Sequence, residues 1–199
     1  MVYKICLTGT SGTGKTSLAI LAAGELKRRG VEARALAEMS TLAVEKGLPI
    51  NEGTTLDAQL WILHQQFAEE IAHQARTTPP KYDVIIGDRG PDNYCYLERR
   101  FGVNEYALQM TLGHMTIFPY QQMYLLPIVA EALPSGDGIR STSTAFQQEM
   151  DERIRTFFND HQIHYIELPK RTDHLRDEWV RIVVNQTLAD LGKAPQTRM

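Results

Sequence analysis

The sequence predicts an α/β fold in which a five-stranded parallel sheet carries helices on both faces. Short apolar runs rich in β-forming residues alternate with longer segments whose apolar residues recur at helical spacing. One run, "YDVII" at 82–86, is apolar almost throughout, as expected for a strand buried on both faces. A glycine-rich stretch also lies between the first predicted strand and the first predicted helix, which fits the strand–turn–helix units of this class.

The pattern assigns each element in chain order. The predicted strands cover residues 2–7, 31–36, 82–86, 121–126 and 164–168. The predicted helices cover residues 15–29, 56–75, 146–158 and 178–191. The helix over 56–75 is the clearest, because Leu60, Leu63, Phe67 and Ile71 give it one apolar face. Strands and helices that alternate in this way form a parallel sheet with right-handed crossovers.

Size and composition narrow the class of protein. The 199 residues fit one domain, 1–199, and 43% hydrophobic with 23% charged residues is typical of a soluble globular protein. The net charge of −3 argues against general nucleic-acid binding. Cys6 and Cys95 are the only cysteines, and we expect reduced thiols in a cytoplasmic protein. No apolar stretch is long enough to span a membrane, so we expect no membrane partner. A homodimer is possible.

The stretch "GTSGTGKTS" carries the strongest functional signal. Gly9, four residues, Gly14, Lys15 and Thr16 match the phosphate-binding pattern G-x-x-x-x-G-K-[ST] between a strand and a helix. Glycines let backbone N–H groups turn toward phosphate oxygens, and the helix adds its positive N-terminal end. We expect Lys15 on an exposed loop, where it reaches the β- and γ-phosphates, and the Thr16 hydroxyl on Mg²⁺. The predicted nucleotide-binding residues are Gly9, Thr10, Ser11, Gly12, Thr13, Gly14, Lys15, Thr16 and Ser17.

The loop alone does not say where the phosphoryl group goes. Three classes stay open: a kinase that acts on a small molecule, a GTPase or ATPase switch, and a nucleotide-binding module with little turnover. The guanine-reading pattern N-K-x-D is absent from the sequence, which counts against a GTPase.

Asp88 and Arg89 follow the third predicted strand. A carboxylate at the end of a buried strand beside the phosphate loop is placed to hold Mg²⁺, although Asp88 could instead start the turn before Gly90 and Pro91. Arg89 could hold an anionic substrate or the transferring phosphoryl group, or it could be an ordinary surface arginine.

Two further residues complete the candidate catalytic set. Glu38 ends the second predicted strand and could orient an acceptor hydroxyl and take its proton. Alternatively, Glu38 lies in the turn before a helix that Ser40 caps. Arg140 lies in a lid predicted around 134–158, from which it would offset charge on the moving γ-phosphoryl group.

Taken together, the motifs resemble a known group of enzymes. The segments "GTSGTGKTS", "LAEMS", "YDVIIGDRGPDNYCYL", "DGIRSTSTAFQQEMDERI" and "HYIELP" are similar to those of P-loop kinases. The resemblance is closest to the ATPase-like domain family that includes ribosylnicotinamide kinase modules, and more distant to deoxynucleoside and thymidylate kinases. It covers residues 2–168 and implies a P-loop NTPase fold with strand order 2-3-1-4-5. It also implies Glu38 as the acceptor-side carboxylate, Asp88 and Arg89 as the "DR" pair, and Arg140 as the lid arginine.

The expected activity is ATP- and Mg²⁺-dependent phosphoryl transfer to a small hydroxylated acceptor, a nucleoside or a nucleotide. The alternatives are an NTPase with a regulatory or nucleotide-binding role and a polynucleotide 5′-kinase, and the net charge disfavours the second of these. We expect the acceptor pocket between Glu38, the helix over 56–75 and the segment after Asp88.

Overall fold

A parallel sheet of five strands forms the centre of the protein, of which the computed structural model describes residues 2–128, 144–170 and 176–193. The strands are β1 (Tyr3–Thr8), β2 (Ala33–Ala35), β3 (Val84–Asp88), β4 (Gln122–Leu125) and β5 (Ile166–Glu167). Their order is β2-β3-β1-β4-β5, and each neighbouring pair runs parallel. The predicted fold class and strand order are therefore confirmed.

The described residues form seven α-helices. They are α1 (Lys15–Arg28), α2 (Met39–Glu45), α3 (Leu56–Gln74), α4 (Asn93–Phe101), α5 (Glu105–Ile117), α6 (Thr144–Asp160) and α7 (Arg176–Asp190). Helices α1, α3, α6 and α7 confirm the four assigned from the sequence. The expectation that Ser40 caps α2 is wrong, because α2 begins at Met39 and Glu38 occupies the capping position. Among the described helices, none is both long and apolar enough to cross a membrane.

Successive side chains of the strands pack on opposite faces of the sheet. On one face, Ile5 and Leu7 of β1 join an apolar cluster with residues of α1 and α7, including the fully buried Trp179. On the other face, Cys6 of the same strand packs in a cluster built from α3, α4, α5 and α6. Helices on both faces thus bury the whole of β1.

A charged cluster is buried on the second face. Lys4 of β1 and Glu70 of α3 are each 1% exposed, and Lys4 Nζ lies 2.8 Å from Glu70 Oε2. His114 Nε2 lies 2.9 Å from the same oxygen, and the Tyr120 hydroxyl donates to Glu70 Oε1 at 2.8 Å. Burial raises the pKa of Glu70, but the hydrogen bond with His114 and the charge of Lys4 outweigh it, so the pKa is lowered overall. Glu70 is therefore held as a carboxylate.

The cluster changes which face of α3 is buried. The predicted apolar face is correct at Leu63 and Phe67 but wrong at Ile71, which is 37% exposed. Glu70 is buried in its place, because Lys4 enters this face from the sheet and needs a carboxylate partner.

The strand register brings three candidate segments to one edge of the sheet. Leu7 of β1 pairs with Asp88 of β3, and Ala35 of β2 pairs with Ile86 of β3. The carboxyl ends of three adjacent strands therefore lie side by side. Glu38, the Asp88–Arg89 pair and the glycine-rich loop follow these strands directly, which is where ligands bind in open α/β sheets.

The Lys4–Glu70 pair predicts a large effect of Glu70→Ala on stability. Removing the carboxylate leaves the Lys4 ammonium buried without its counter-charge, so the free energy of unfolding should fall by about 3–5 kcal/mol. Chemical denaturation measures the change. Glu69→Ala is the matched control, since Glu69 is the preceding residue of α3 and its side chain is 36% exposed. An equal effect of both substitutions would contradict this account.

Candidate active site

The glycine-rich loop after β1 contains positive-φ backbone conformations, which favour glycine. Gly9 has φ 134°, and a Cβ atom there would lie 2.8 Å from the backbone carbonyl oxygen of Leu126. Gly14 has φ 94° and caps the N-terminus of α1. The loop therefore curls against β4 and leads directly into the positive end of a helix, the usual setting for an anion.

Lys15 points into the loop. The expectation of an exposed position is wrong: Lys15 is 5% exposed, and its ammonium donates to the carbonyl oxygens of Gly9 at 2.8 Å and Thr10 at 2.6 Å. The side chain folds back because these carbonyls are the acceptors that the loop presents to it. Burial, with a smaller effect of the nearby Arg89 charge, lowers the pKa of Lys15 to about 8. The carboxylates of Asp88 and Glu38 oppose this shift.

A cavity, here called the loop cavity, opens inside this turn. Its lining residues are Ser11, Gly12, Gly14, Lys15, Thr16, Ser17, Glu38, Asp88 and Arg89. The structure therefore brings most of the predicted site residues together around one space. Thr10 and Thr13 are buried and hold the loop instead, with the Thr13 hydroxyl donating to the Thr10 carbonyl at 3.0 Å.

Asp88 and Thr16 form the part of the loop cavity that suits a divalent cation. The Thr16 hydroxyl donates to Asp88 Oδ2 at 2.5 Å. Asp88 Oδ1 is buried and has no hydrogen-bond partner among the described residues. Burial, and then the neighbouring Glu38 charge, raises the pKa of Asp88, while Lys15 and the Thr16 hydroxyl oppose the increase. An unpaired carboxylate oxygen beside a hydroxyl fits Mg²⁺, which prefers oxygen ligands and usually takes the others from water and phosphate.

Arg89 is not a surface arginine. It is 6% exposed, and its backbone has φ 81°, a conformation that L-residues rarely adopt. Its Nε donates to Glu38 Oε1 at 3.3 Å, and its Nη1 lies 3.6 Å from Asp92 Oδ2. The guanidinium carbon lies 4.2 Å from the centre of the Tyr96 ring, and Nη2 donates to the Ser11 hydroxyl at 3.4 Å. Contacts on every side therefore fix this cation between the loop and Glu38.

A second cavity, here called the α4 cavity, lies beside the first. It is lined by Ser11, Glu38, Ser40, Ile50, Asn51, Thr54, Gln59, Ile62, Arg89, Asn93, Tyr96, Arg99, Arg100 and Phe146. This is the place expected for an acceptor pocket, between Glu38, α3 and the segment after Asp88. The two cavities share Ser11, Glu38 and Arg89, so they meet at these three side chains.

Several lining residues escaped sequence reasoning. Asn93 and Tyr96 belong to α4, a helix of nine residues that is too short for a clear apolar period. Gln147 of α6 donates to the Ser11 carbonyl at 2.7 Å, and its neighbour Phe146 lines the α4 cavity. Residues 144–158 of the predicted lid belong to α6, while Arg140 lies outside the described residues.

Solved structures show the same fold at low sequence identity. A NadR protein in complex with NR has a TM-score of 0.77 and 12% identity, covering 100% of this chain and 54% of that one. NadR in complex with NAD and AMP-PNP has a TM-score of 0.73 and 10% sequence identity, covering 100% of this chain and 52% of that one. The chain thus spans about half the length of these NadR chains. Deoxyadenosine kinase from M. mycoides, with products dCMP and dCDP bound, has a TM-score of 0.60 and 11% sequence identity. The match covers 94% of this chain and 99% of that one.

Sequence comparison gives the family. No curated protein matches the chain. The model of the family described as AAA domain matches residues 4–176, which is most of the sequence. The chain therefore belongs to this AAA domain family, and its fold is that of the P-loop kinases.

Proposed function

We propose that the protein transfers a phosphoryl group from ATP to a small hydroxylated acceptor, a nucleoside or a nucleotide, with Mg²⁺ as cofactor. One observation carries the proposal: the loop cavity and the α4 cavity meet at Ser11, Glu38 and Arg89. A hydrolase needs room only for water at this point. A second cavity that opens beside the phosphate-binding loop instead gives an acceptor a place in line with the triphosphate.

The similar structures support this class of reaction. One contains NAD and AMP-PNP, an ATP analogue, and another is a deoxyadenosine kinase with its products bound. These ligands belong to those proteins, and they make a nucleoside or nucleotide the first acceptor to test here.

The loop residues would hold the triphosphate of ATP. The backbone N–H groups at the N-terminus of α1 face the loop cavity, and the Lys15 ammonium already lies inside the turn. A phosphate oxygen would replace the Gly9 and Thr10 carbonyls as its hydrogen-bond acceptor, forming a stronger, charge-assisted bond.

Thr16 and Asp88 would hold Mg²⁺, since Asp88 Oδ1 is the buried oxygen that lacks a protein partner among the described residues. When bound, the ion neutralises charge on the phosphates.

Glu38 and Arg89 would act at the junction of the two cavities. The acceptor oxygen forms a bond to the γ-phosphorus, the bond from that phosphorus to the bridging oxygen breaks, and ADP leaves. The hydroxyl proton passes to the Glu38 carboxylate, which Arg89 Nε holds in place. Arg89 would also lie beside the phosphoryl group during its transfer, because its Nη2 contacts Ser11 of the loop. We assign to Arg140 the same charge-offsetting role from the lid.

The proposed role of the loop predicts the effect of a substitution at Lys15. Lys15→Ala should weaken ATP binding by about 100-fold, because two charge-assisted hydrogen bonds to phosphate are lost. The free energy of unfolding should not fall, since the lowered pKa of Lys15 shows that the folded state disfavours the ammonium charge. Calorimetry with ATP and Mg²⁺ measures the first quantity and denaturation the second. Lys27→Ala, an exposed lysine of the same helix, should bind ATP like the parent protein. Undiminished ATP binding by Lys15→Ala would reject the loop assignment.

A measurement of both reaction products distinguishes a kinase from an NTPase. The protein is incubated with ATP, Mg²⁺ and a panel of nucleosides and nucleotides, and both ADP and free phosphate are measured. A kinase forms ADP only when an acceptor is present and releases little phosphate. Phosphate release that no acceptor changes would identify an NTPase and overturn the proposal.

Glu38→Gln tests the mechanism with the acceptor found in that panel. The amide keeps the shape of Glu38 but cannot take the proton, so turnover should fall by about 10²-fold at unchanged ATP affinity. Glu45→Gln, an exposed residue of α2, is the matched control and should leave turnover intact. Parental turnover in Glu38→Gln would remove Glu38 from the reaction.

A further inference from the structure

We propose that the α4 cavity selects acceptors that carry an anionic group, a carboxylate or a phosphate, at the end opposite the reacting hydroxyl. This inference rests on the proposed function, because it names the chemical class of the acceptor for that reaction.

The charges that line the α4 cavity are predominantly positive. The lining residues include three arginines, Arg89, Arg99 and Arg100, and one carboxylate, that of Glu38. Arg89 is paired with Glu38 and Asp92. Two of the arginines therefore remain to be balanced by groups outside the cavity wall or by a ligand.

Carboxylates near the cavity balance Arg99 but not Arg100. Arg99 pairs with Glu149 at 3.0 Å and with Glu52 at 3.5 Å. Arg100 donates to the backbone carbonyl of Glu52 at 3.0 Å, and within the described ranges it forms no ion pair with a carboxylate. Arg100 is thus a cation at the cavity wall whose counter-charge a ligand can supply.

Asn93 supplies independent evidence that a ligand binds here. It is 6% exposed and lines the α4 cavity, yet its Nδ2 is buried and has no hydrogen-bond partner in the described part of the chain. An unpaired buried donor destabilises a fold, so such a group points to a ligand that brings the missing acceptor oxygen.

The geometry of α4 orders these groups along the cavity. Asn93, Tyr96 and Arg100 follow one another at helical spacing, so they share one side of α4. Arg100 lies seven positions after Asn93, which is about 10 Å along a helix. Asn93 lies next to the turn that carries Arg89, and Arg89 contacts Glu38. Arg100 therefore lies farther along α4 than Asn93 from the turn that carries Arg89.

The fitting acceptor can be described by its parts. A hydroxyl lies at Glu38, an oxygen accepts from Asn93, and an apolar ring or chain packs on Ile50, Ile62 and Phe146. A carboxylate or phosphate then lies beside Arg100. A neutral amide in that position loses the ion pair with Arg100, and a cation is repelled by the positive charge of Arg100.

Matched compounds that differ only in this charge test the inference. The first pair is 5-carboxymethyluridine and 5-carbamoylmethyluridine, which compares a carboxylate with its amide. The second pair is adenosine 3′-monophosphate and adenosine, which tests a phosphate. Affinity is measured by calorimetry without ATP, and ADP formation is measured separately with ATP and Mg²⁺.

In at least one pair the anionic compound should bind about tenfold more tightly, and added salt should reduce this preference. Arg100→Gln should abolish the preference by weakening the binding of the anionic compound. Arg76→Gln is the matched control, since Arg76 is also exposed and donates only to the backbone carbonyls of Thr78 and Pro79 among the described residues. It should leave the preference intact.

The two readouts separate this inference from the proposed function. Equal binding within both pairs, equal loss for both members in Arg100→Gln, or no binding of any of the four compounds would overturn the anion site. An Arg100-dependent preference without ADP formation would support the anion site and reject phosphoryl transfer to these compounds. ADP formation together with equal binding within each pair would support the kinase and reject the anion site.

Discussion

The contacts of one guanidinium group, that of Arg89, hold the candidate site together. It joins Glu38 after β2, Asp92 before α4, the ring of Tyr96 and the Ser11 hydroxyl of the loop. Its left-handed backbone conformation costs about 1–2 kcal/mol, which only strong surrounding contacts can offset. The loop cavity and the α4 cavity keep their relative position because each is walled by this side chain.

The loop cavity holds opposite charges that the fold tolerates poorly. Burial lowers the pKa of Lys15 to about 8 and raises the pKa of Asp88, so each group is displaced toward its neutral form. A polyphosphate beside the ammonium and a divalent cation beside the carboxylate would each favour the charged form again. Such a site is organised before its ligands arrive, and less free energy is lost to rearrangement when they bind.

Local patterns in the sequence predicted those parts of the structure that local residues determine. The loop, the Asp88 position at a strand end and the alternation of strands with helices depend on residues that are close in sequence. The strand order came from the family resemblance. The exposure of Ile71 was missed because Lys4, far along the chain, draws Glu70 inward. The burial of Lys15 was missed because the Gly9 and Thr10 carbonyls, although close in sequence, converge on its ammonium only after the loop has curled. Tyr96 was missed because the aromatic–arginine contact exists only after α4 has packed on α3 and α6.

Helix α6 contacts the loop and the α4 cavity through consecutive residues. Gln147 donates to the Ser11 carbonyl of the loop, and Phe146 forms part of the wall of the α4 cavity. A molecule seated against Phe146 and an anion held by the loop therefore act on the same helix. If either ligand changes the position of α6, it changes the affinity for the other, and thermodynamic linkage makes the two effects equal in size. The total binding free energy of the two substrates would then be the same whichever binds first. Each bound substrate would make the other dissociate more slowly or more rapidly.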